Sequence, residues 1–289
     1  ALVYYITGIS CCLILLNLAP KWPSLALLWQ KTELSQKQYG YPKNLRRNVI
    51  TLASVIFVIV PVEFLLWNAN CFVLASYCST GSMDLIKKYT VINNRHLFEV
   101  VTYNNFLAVL AVVINTLGAF CWSYANLFVM LISLALASRF RLLNNNLLKN
   151  KGKVMPESYW RGVREDYNAL SHLTSNVNAT ISPLILLCFA TNLFYVCQQL
   201  LNSLTNFRDA LQLIYTYISF GYLILRTIGM LLYAASVYEE GKVAKEILYA
   251  VPSQSYQTEV HRFLIQVTTD DVSLTAFNFF PVTRTILLT

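Results

Sequence analysis

Apolar positions in this chain come in blocks bounded by charge rather than in strict alternation. No Asp, Glu, Lys or Arg occurs in residues 1–20, and Glu63 is the only one between Arg47 and Asp84. None lies between Glu99 and Arg139 or between Asp166 and Arg208, and Arg226 alone interrupts the stretch between Asp209 and Glu239. A helix needs roughly 20 mainly apolar residues to cross about 30 Å of hydrocarbon, because lipid offers nothing to an unpaired backbone group. The five windows meet that length and predict spanning helices at residues 2–18, 49–75, 100–138, 181–204 and 210–238. A sixth apolar run, 272–289, is interrupted by Pro281 and Arg284. The third window would extend about 58 Å at ~1.5 Å per residue, so it must project beyond the membrane or break at Gly118.

Composition agrees. Of 289 residues 56% are hydrophobic and only 12% charged, about half the charge of an ordinary soluble domain. One buried apolar helix would suit a large soluble protein; five in this length would not. Basic residues set the orientation. Six lie in 21–47 and seven in 139–164, whereas the alternate connections hold Lys87, Lys88 and Arg95, then Arg208 alone. The first window therefore runs inward, and the chain reads as a trimmed seven-helix protein with its N-terminus inside, the inverse of a G-protein-coupled receptor. The formal net charge of +8 sits beside the membrane, so anionic headgroups rather than nucleic acid are its expected partners.

Chemistry of other kinds is not signalled. The seven cysteines show no metal-ligand spacing and read as small core residues, with Cys71 and Cys78 near the outer end of the second window. No phosphate-binding, dinucleotide, GxSxG or HExxH motif occurs. Neither an enzyme, a cofactor nor a metal site is expected. The sequon opening at Asn178 falls on the inner side, where glycosylation does not occur.

Polar residues inside membrane windows face the bundle by default and mark function. Glu63, Trp67 and Asn70 form one stripe at i, i+4 and i+7 in the outer half of the second window. Asn192, Tyr195 and Gln199 repeat at i, i+3 and i+7 in the fourth; Gln212, Tyr215, Ser219 and Tyr222 share a face of the fifth; Asn104 stands at the outer end of the third. Amides and aromatic rings from separate helices at one depth predict a shared outer pocket. The competing role is interhelical bonding, which suits Asn115 and Trp122 better, and Glu63 has an alternative as a structural partner for Arg226.

Several segments, in order, resemble insect gustatory receptors of the sweet-taste clade. They are APKWPSL at 19–25 with Trp29 and Glu33, LASRFRLLN at 136–144, WRGVREDY at 160–167, ISPLILLCFATNLFYVCQQLLNSL at 181–204, and EVHRF at 259–263 with LTAFNFFPVTR at 274–284. The resemblance implies an all-α polytopic bundle of the insect chemoreceptor channel type in the plasma membrane. It implies a sugar-gated, non-selective cation channel for di- or oligosaccharides of the sucrose, maltose and trehalose class, working as a homotetramer or with related gustatory receptors. Residues 1–238 would sense ligand, and 239–289 would supply an inner helix and the start of the pore-lining helix. Phe279, Phe280 and Pro281 would mark the break through which that half-helix, including Thr285, turns into the pore. An odorant- or bitter-type channel is the nearest alternative. A G-protein-coupled receptor and a transporter are more distant: the first needs the opposite orientation, the second an internal repeat.

Overall fold

The computed structural model describes residues 2–79, 81–204 and 209–287; Arg208 and the side chain of Cys78 lie outside them. Helices α1 (Leu2–Leu18), α3 (Leu45–Cys78), α6 (Asn105–Lys149), α7 (Glu157–Ser203) and α8 (Ala210–Tyr249) cover the five windows. Four of these are long and apolar enough to span by themselves, and α1 does so together with α2 (Trp22–Ser35), bent 60° from it. Short α4 (Ser82–Asn93) and α5 (Arg95–Phe98) connect α3 to α6 on the outer side, and α9 (Thr258–Thr269) follows α8 on the inner side.

Local chemistry fixes the ends. Asn104 accepts from the Phe106 N–H (2.9 Å) and Asp209 from the Gln212 N–H (2.8 Å), capping the outer ends of α6 and α8. Pro23 stands in the first turn of α2, where its missing N–H costs nothing. The third window does not break: α6 continues through Gly118 to Lys149, and α7 and α8 likewise extend past their windows on the inner side. There the core is densest. Leu136, Phe140, Leu143 and Leu147 of α6 meet Tyr167, Leu170 and Val177 of α7, Ala234, Val237 and Leu248 of α8, and the buried Val260, Phe263 and Val267 stripe of α9. The most hydropathic window of α3 is only 6% buried against 44% for that of α8. Thus α8 is central, and α3 lies at the lipid-facing edge.

The final apolar run departs from expectation. Instead of an α-helix beginning at Pro281, residues 275–281 form a two-stranded antiparallel hairpin, β1 (Thr275–Ala276) with β2 (Phe280–Pro281). Its turn places Phe277 (φ 50°) and Asn278 (φ 60°) in the left-handed region, a conformation asparagine tolerates better than most residues. A 3-10 turn at Arg284–Leu287, holding Thr285, packs on α8. Two polar signals were outweighed: Thr275 and Asn278 bond each other, offering the backbone an alternative to a helix.

Ion pairs tie the inner ends together. Arg139 meets Glu33, Arg141 meets Glu240 (2.6 Å), and Glu259 is held by Arg164 and Arg262, each at 2.8 Å. The hydrogen bond from Arg164, with that from Arg262, holds the Glu259 carboxyl below the usual carboxylate range. A depressed carboxylate contributes stability that is present above its unfolded pKa of about 4.3 and is lost as pH falls through the folded value. Thermal half-life in detergent should therefore be flat from neutrality to about pH 5 and drop below that, with the drop reduced in Glu259→Gln. An identical acid profile for the variant would refute the assignment.

Candidate functional site

A polar column descends the bundle along one face of α8: Tyr215, Ser219, Tyr222 and Arg226, at i, i+4, i+7 and i+11. At ~1.5 Å per residue it reaches about 24 Å below the outer end of the helix, past the midplane of a hydrocarbon layer about 30 Å thick.

The upper tier joins four helices. Ser219 Oγ donates to Glu63 Oε1 of α3 (2.7 Å) and accepts from Gln199 Nε2 of α7 (3.4 Å). One turn above, Trp67 of α3 packs on Tyr215 with ring centroids 5.4 Å apart. The Trp67 indole N–H donates to Asn93 Oδ1 of α4 (2.7 Å). Glu63 thus spends one oxygen on a serine hydroxyl, and no Glu63–Arg226 ion pair is found among the described residues.

The lower tier lies between α6, α7 and α8. Asn192 Nδ2 donates to Asn126 Oδ1 (2.8 Å), and Asn126 in turn reaches back to the Trp122 carbonyl (2.9 Å). Tyr195 packs on Trp122 at 4.9 Å. The Arg226 guanidinium sits 3.8 Å from the centroid of the Trp122 ring and 5.2 Å from that of Tyr222, a cation–π geometry that desolvation strengthens. Arg226 is 5% exposed and Asn192 0%. Four polar atoms in this tier have no hydrogen-bond partner within the protein: Trp122 Nε1, Asn192 Oδ1, Tyr222 OH and Arg226 Nε. Leaving such an atom unmet costs about 1–3 kcal/mol, so four in one tier amount to a demand for a polar partner. They comprise two donors, one acceptor and one hydroxyl that is both.

The adjoining cavity is small, about 10 Å³, lined by Tyr4, Thr7, Gly8, Gly118, Trp122, Thr191 and Tyr195. That holds roughly one water molecule. A larger ligand requires the outer helices to part.

Of the sequence candidates, Glu63, Trp67, Gln199 and Tyr215 come together above, and Asn192 and Tyr195 below. Asn70 is half-buried one turn outward of Trp67 on α3. Gln212 sits in the first turn of α8, and Asn104 is exposed and spent on the α6 cap. Asn115 belongs to a separate outer network, bonded to Tyr5 (3.1 Å) and Asn94 (2.5 Å). Asn126 escaped sequence reading although it lies one turn below Trp122; the i, i+4 spacing was the available signal. Phe279 is exposed, Pro281 lies on the hairpin edge, and Phe280 packs on Phe189 of α7 (5.3 Å). Among the described residues no cluster of three metal-ligating side chains occurs.

Comparison with known proteins bears on this arrangement. A family model described as trehalose receptor matches residues 1–289. "Gustatory receptor for sugar taste 64f" of Drosophila melanogaster is 34% identical over 96% of this chain and 59% of its own length. "Gustatory receptor 5a for trehalose" of the same species is 32% identical over 94% and 62%. The chain thus spans about 60% of the length of these relatives. Among solved structures, the insect olfactory receptor OR5 from Machilis hrabei superposes with a TM-score of 0.71 at 12% identity, covering 99% of this chain and 75% of that one. That likeness shows the fold, a multi-pass helical membrane bundle.

Proposed function

This chain belongs to the trehalose receptor family, a family of plasma-membrane receptors rather than enzymes, and from that premise we propose that it is the sensing part of a sugar-gated cation channel. The observation that carries the reading is the lower tier: four unmet buried polar atoms beside the Trp122 and Tyr195 rings. Sugars present hydroxyls that both donate and accept, and C–H faces that pack on aromatic rings. An apolar odorant satisfies the rings and leaves Asn192 Oδ1 and Arg226 Nε unmet. Asn192, Tyr195, Trp122, Tyr222 and Arg226 grip the ligand below; Glu63, Trp67, Gln199 and Tyr215 close over it. Asn70, Asn104 and Gln212 line the way in.

The packed cavity implies conformational selection. The ligand binds a minor arrangement in which α3 and α7 have moved apart from α8, and its affinity is reduced by the scarcity of that state. Sensing of an abundant nutrient tolerates this, since a millimolar dissociation constant corresponds to only ~4 kcal/mol. Four copies around an axis, with the segment from Phe279 through Thr285 leading to the pore, complete the channel.

Whole-cell recording of the full-length protein tests the reading. Currents should follow trehalose, sucrose or maltose, with sensitivity lowered about five- to tenfold in Glu63→Ala and Trp67→Ala, the size expected from a lost hydrogen bond or ring contact. Unchanged concentration dependence in both variants removes the upper tier from the site. Silence to every sugar with a strong response to an apolar odorant removes the ligand class.

A further inference from the structure

Asn178 opens a sequon, yet its side chain is engaged within the fold. From α7 its amide grips Thr275 at the start of the hairpin: Oδ1 accepts the Thr275 backbone N–H (2.7 Å), and Nδ2 donates to the Thr275 hydroxyl (3.0 Å). The same hydroxyl accepts from the Asn278 N–H (3.2 Å), stitching the left-handed turn shut. One helical turn along α7, the Ser182 carbonyl accepts the Phe277 N–H (3.2 Å), beside Pro183, whose missing N–H interrupts the helix ladder. Further out, Phe189 packs on Phe280. The hairpin closes through Val282 N–H to the Leu274 carbonyl (2.8 Å) and leads directly into the turn that packs on α8.

Asn178, Ser182, Phe189 and Asn192 all fall within a stripe about 80° wide at ~100° per residue. One face of one helix therefore carries both Asn192, whose Oδ1 is unmet in the lower tier, and the Asn178, Ser182 and Phe189 contacts that hold the hairpin. We propose that the Asn178–Thr275 clamp transmits movement of α7 to the terminal segment, making Asn178 a positioning residue for gating; the role rests on the sugar reading above. When ligand draws Asn192 outward or inward, the hairpin is pulled with α7 instead of slipping along it, and residues 284–287 shift on α8.

The test uses the full-length channel with trehalose. Asn178→Ala should lower the maximal current about fivefold or more, the size of a typical lost coupling, while surface abundance and trehalose affinity of the purified protein stay as in wild type. Thr275→Val, which removes only the hydroxyl, should do the same to a lesser degree. Thr275→Ser should restore wild-type currents, and the double variant should be no worse than Asn178→Ala. Wild-type maximal currents in Asn178→Ala overturn the proposal, as does a fall in affinity equal to the fall in current. If Asn178→Ala fails to reach the surface, Thr275→Val decides: full currents overturn, reduced currents at unchanged affinity support. A wild-type channel that binds and answers no sugar is a separate failure, removing the sugar reading and this role with it.

Discussion

Replacing Arg226 with methionine is expected to give a channel that folds and reaches the membrane but requires roughly ten- to 150-fold more sugar, the equivalent of a charge-assisted hydrogen bond of about 1.5–3 kcal/mol. Arg226 stands about 24 Å below the outer end of α8, 5% exposed, held by two aromatic faces and by no carboxylate among the described residues. Holding a cation there costs about 2.5–3.5 kcal/mol on insertion scales, while stacking on Trp122 and Tyr222 returns about 1–2 kcal/mol. Methionine removes both, at similar length and with a flexible apolar stem, so stability should be unchanged or rise by about 0.5–2.5 kcal/mol. A charge held at net cost to the fold, with an unmet Nε, suits the ligand-gripping role proposed above. Lysine should not rescue: it keeps the charge but loses the planar face and the fixed donor geometry. The measurements are surface abundance, melting in detergent and a sugar concentration series for each variant. An unchanged series would remove Arg226 from the site; loss of the folded protein would make it structural.

That residue also shows where sequence reading stopped. Among the described residues the charge-free windows located the four helices able to span alone and, as half of a bent pair, α1, since lipid leaves few alternatives to a helix in such a stretch. The stripes on α3, α7 and α8 could be written down from periodicity alone. Periodicity tells which residues share a face, however, not which faces meet. Glu63 and Arg226 are the lone charges of their windows and invite pairing. In the fold Ser219 takes Glu63, and the ring of Trp122 takes Arg226, because Arg226 lies two turns deeper on α8. Asn104 reads equally well as a pocket amide or a helix cap; its extended backbone and its bond from the Phe106 N–H make it the cap. The hairpin at 275–281 was least legible. Its strands are two residues each, too short for any alternation, and the amide that anchors its first strand, Asn178, stands almost a hundred positions earlier.

Breaking the Arg139–Glu33 pair should be among the most destabilising changes, Arg139→Ala lowering stability by about 2–3 kcal/mol. The Arg139 side chain is 4% exposed and lies over Tyr41, while that of its partner Glu33, on α2, is 31% exposed and also accepts from the Trp29 indole N–H (3.0 Å). Breaking a fully buried pair costs about 3–5 kcal/mol; the solvent that still reaches Glu33 places this one at the low end. The effect should appear as a fall of about 5 °C or more in apparent melting temperature and as reduced surface abundance, with the sugar sensitivity of the remaining channels unaltered. Glu33→Leu alone should cost at least as much, because it strands the more deeply buried partner. Arg139→Met combined with Glu33→Leu should recover most of the loss, since an apolar pair of similar volume replaces two charges that each paid for desolvation. Additive losses would mean that the two charges act independently, and that the bend between α1 and α2 is held by packing of Leu25 and Trp29 rather than by the ion pair.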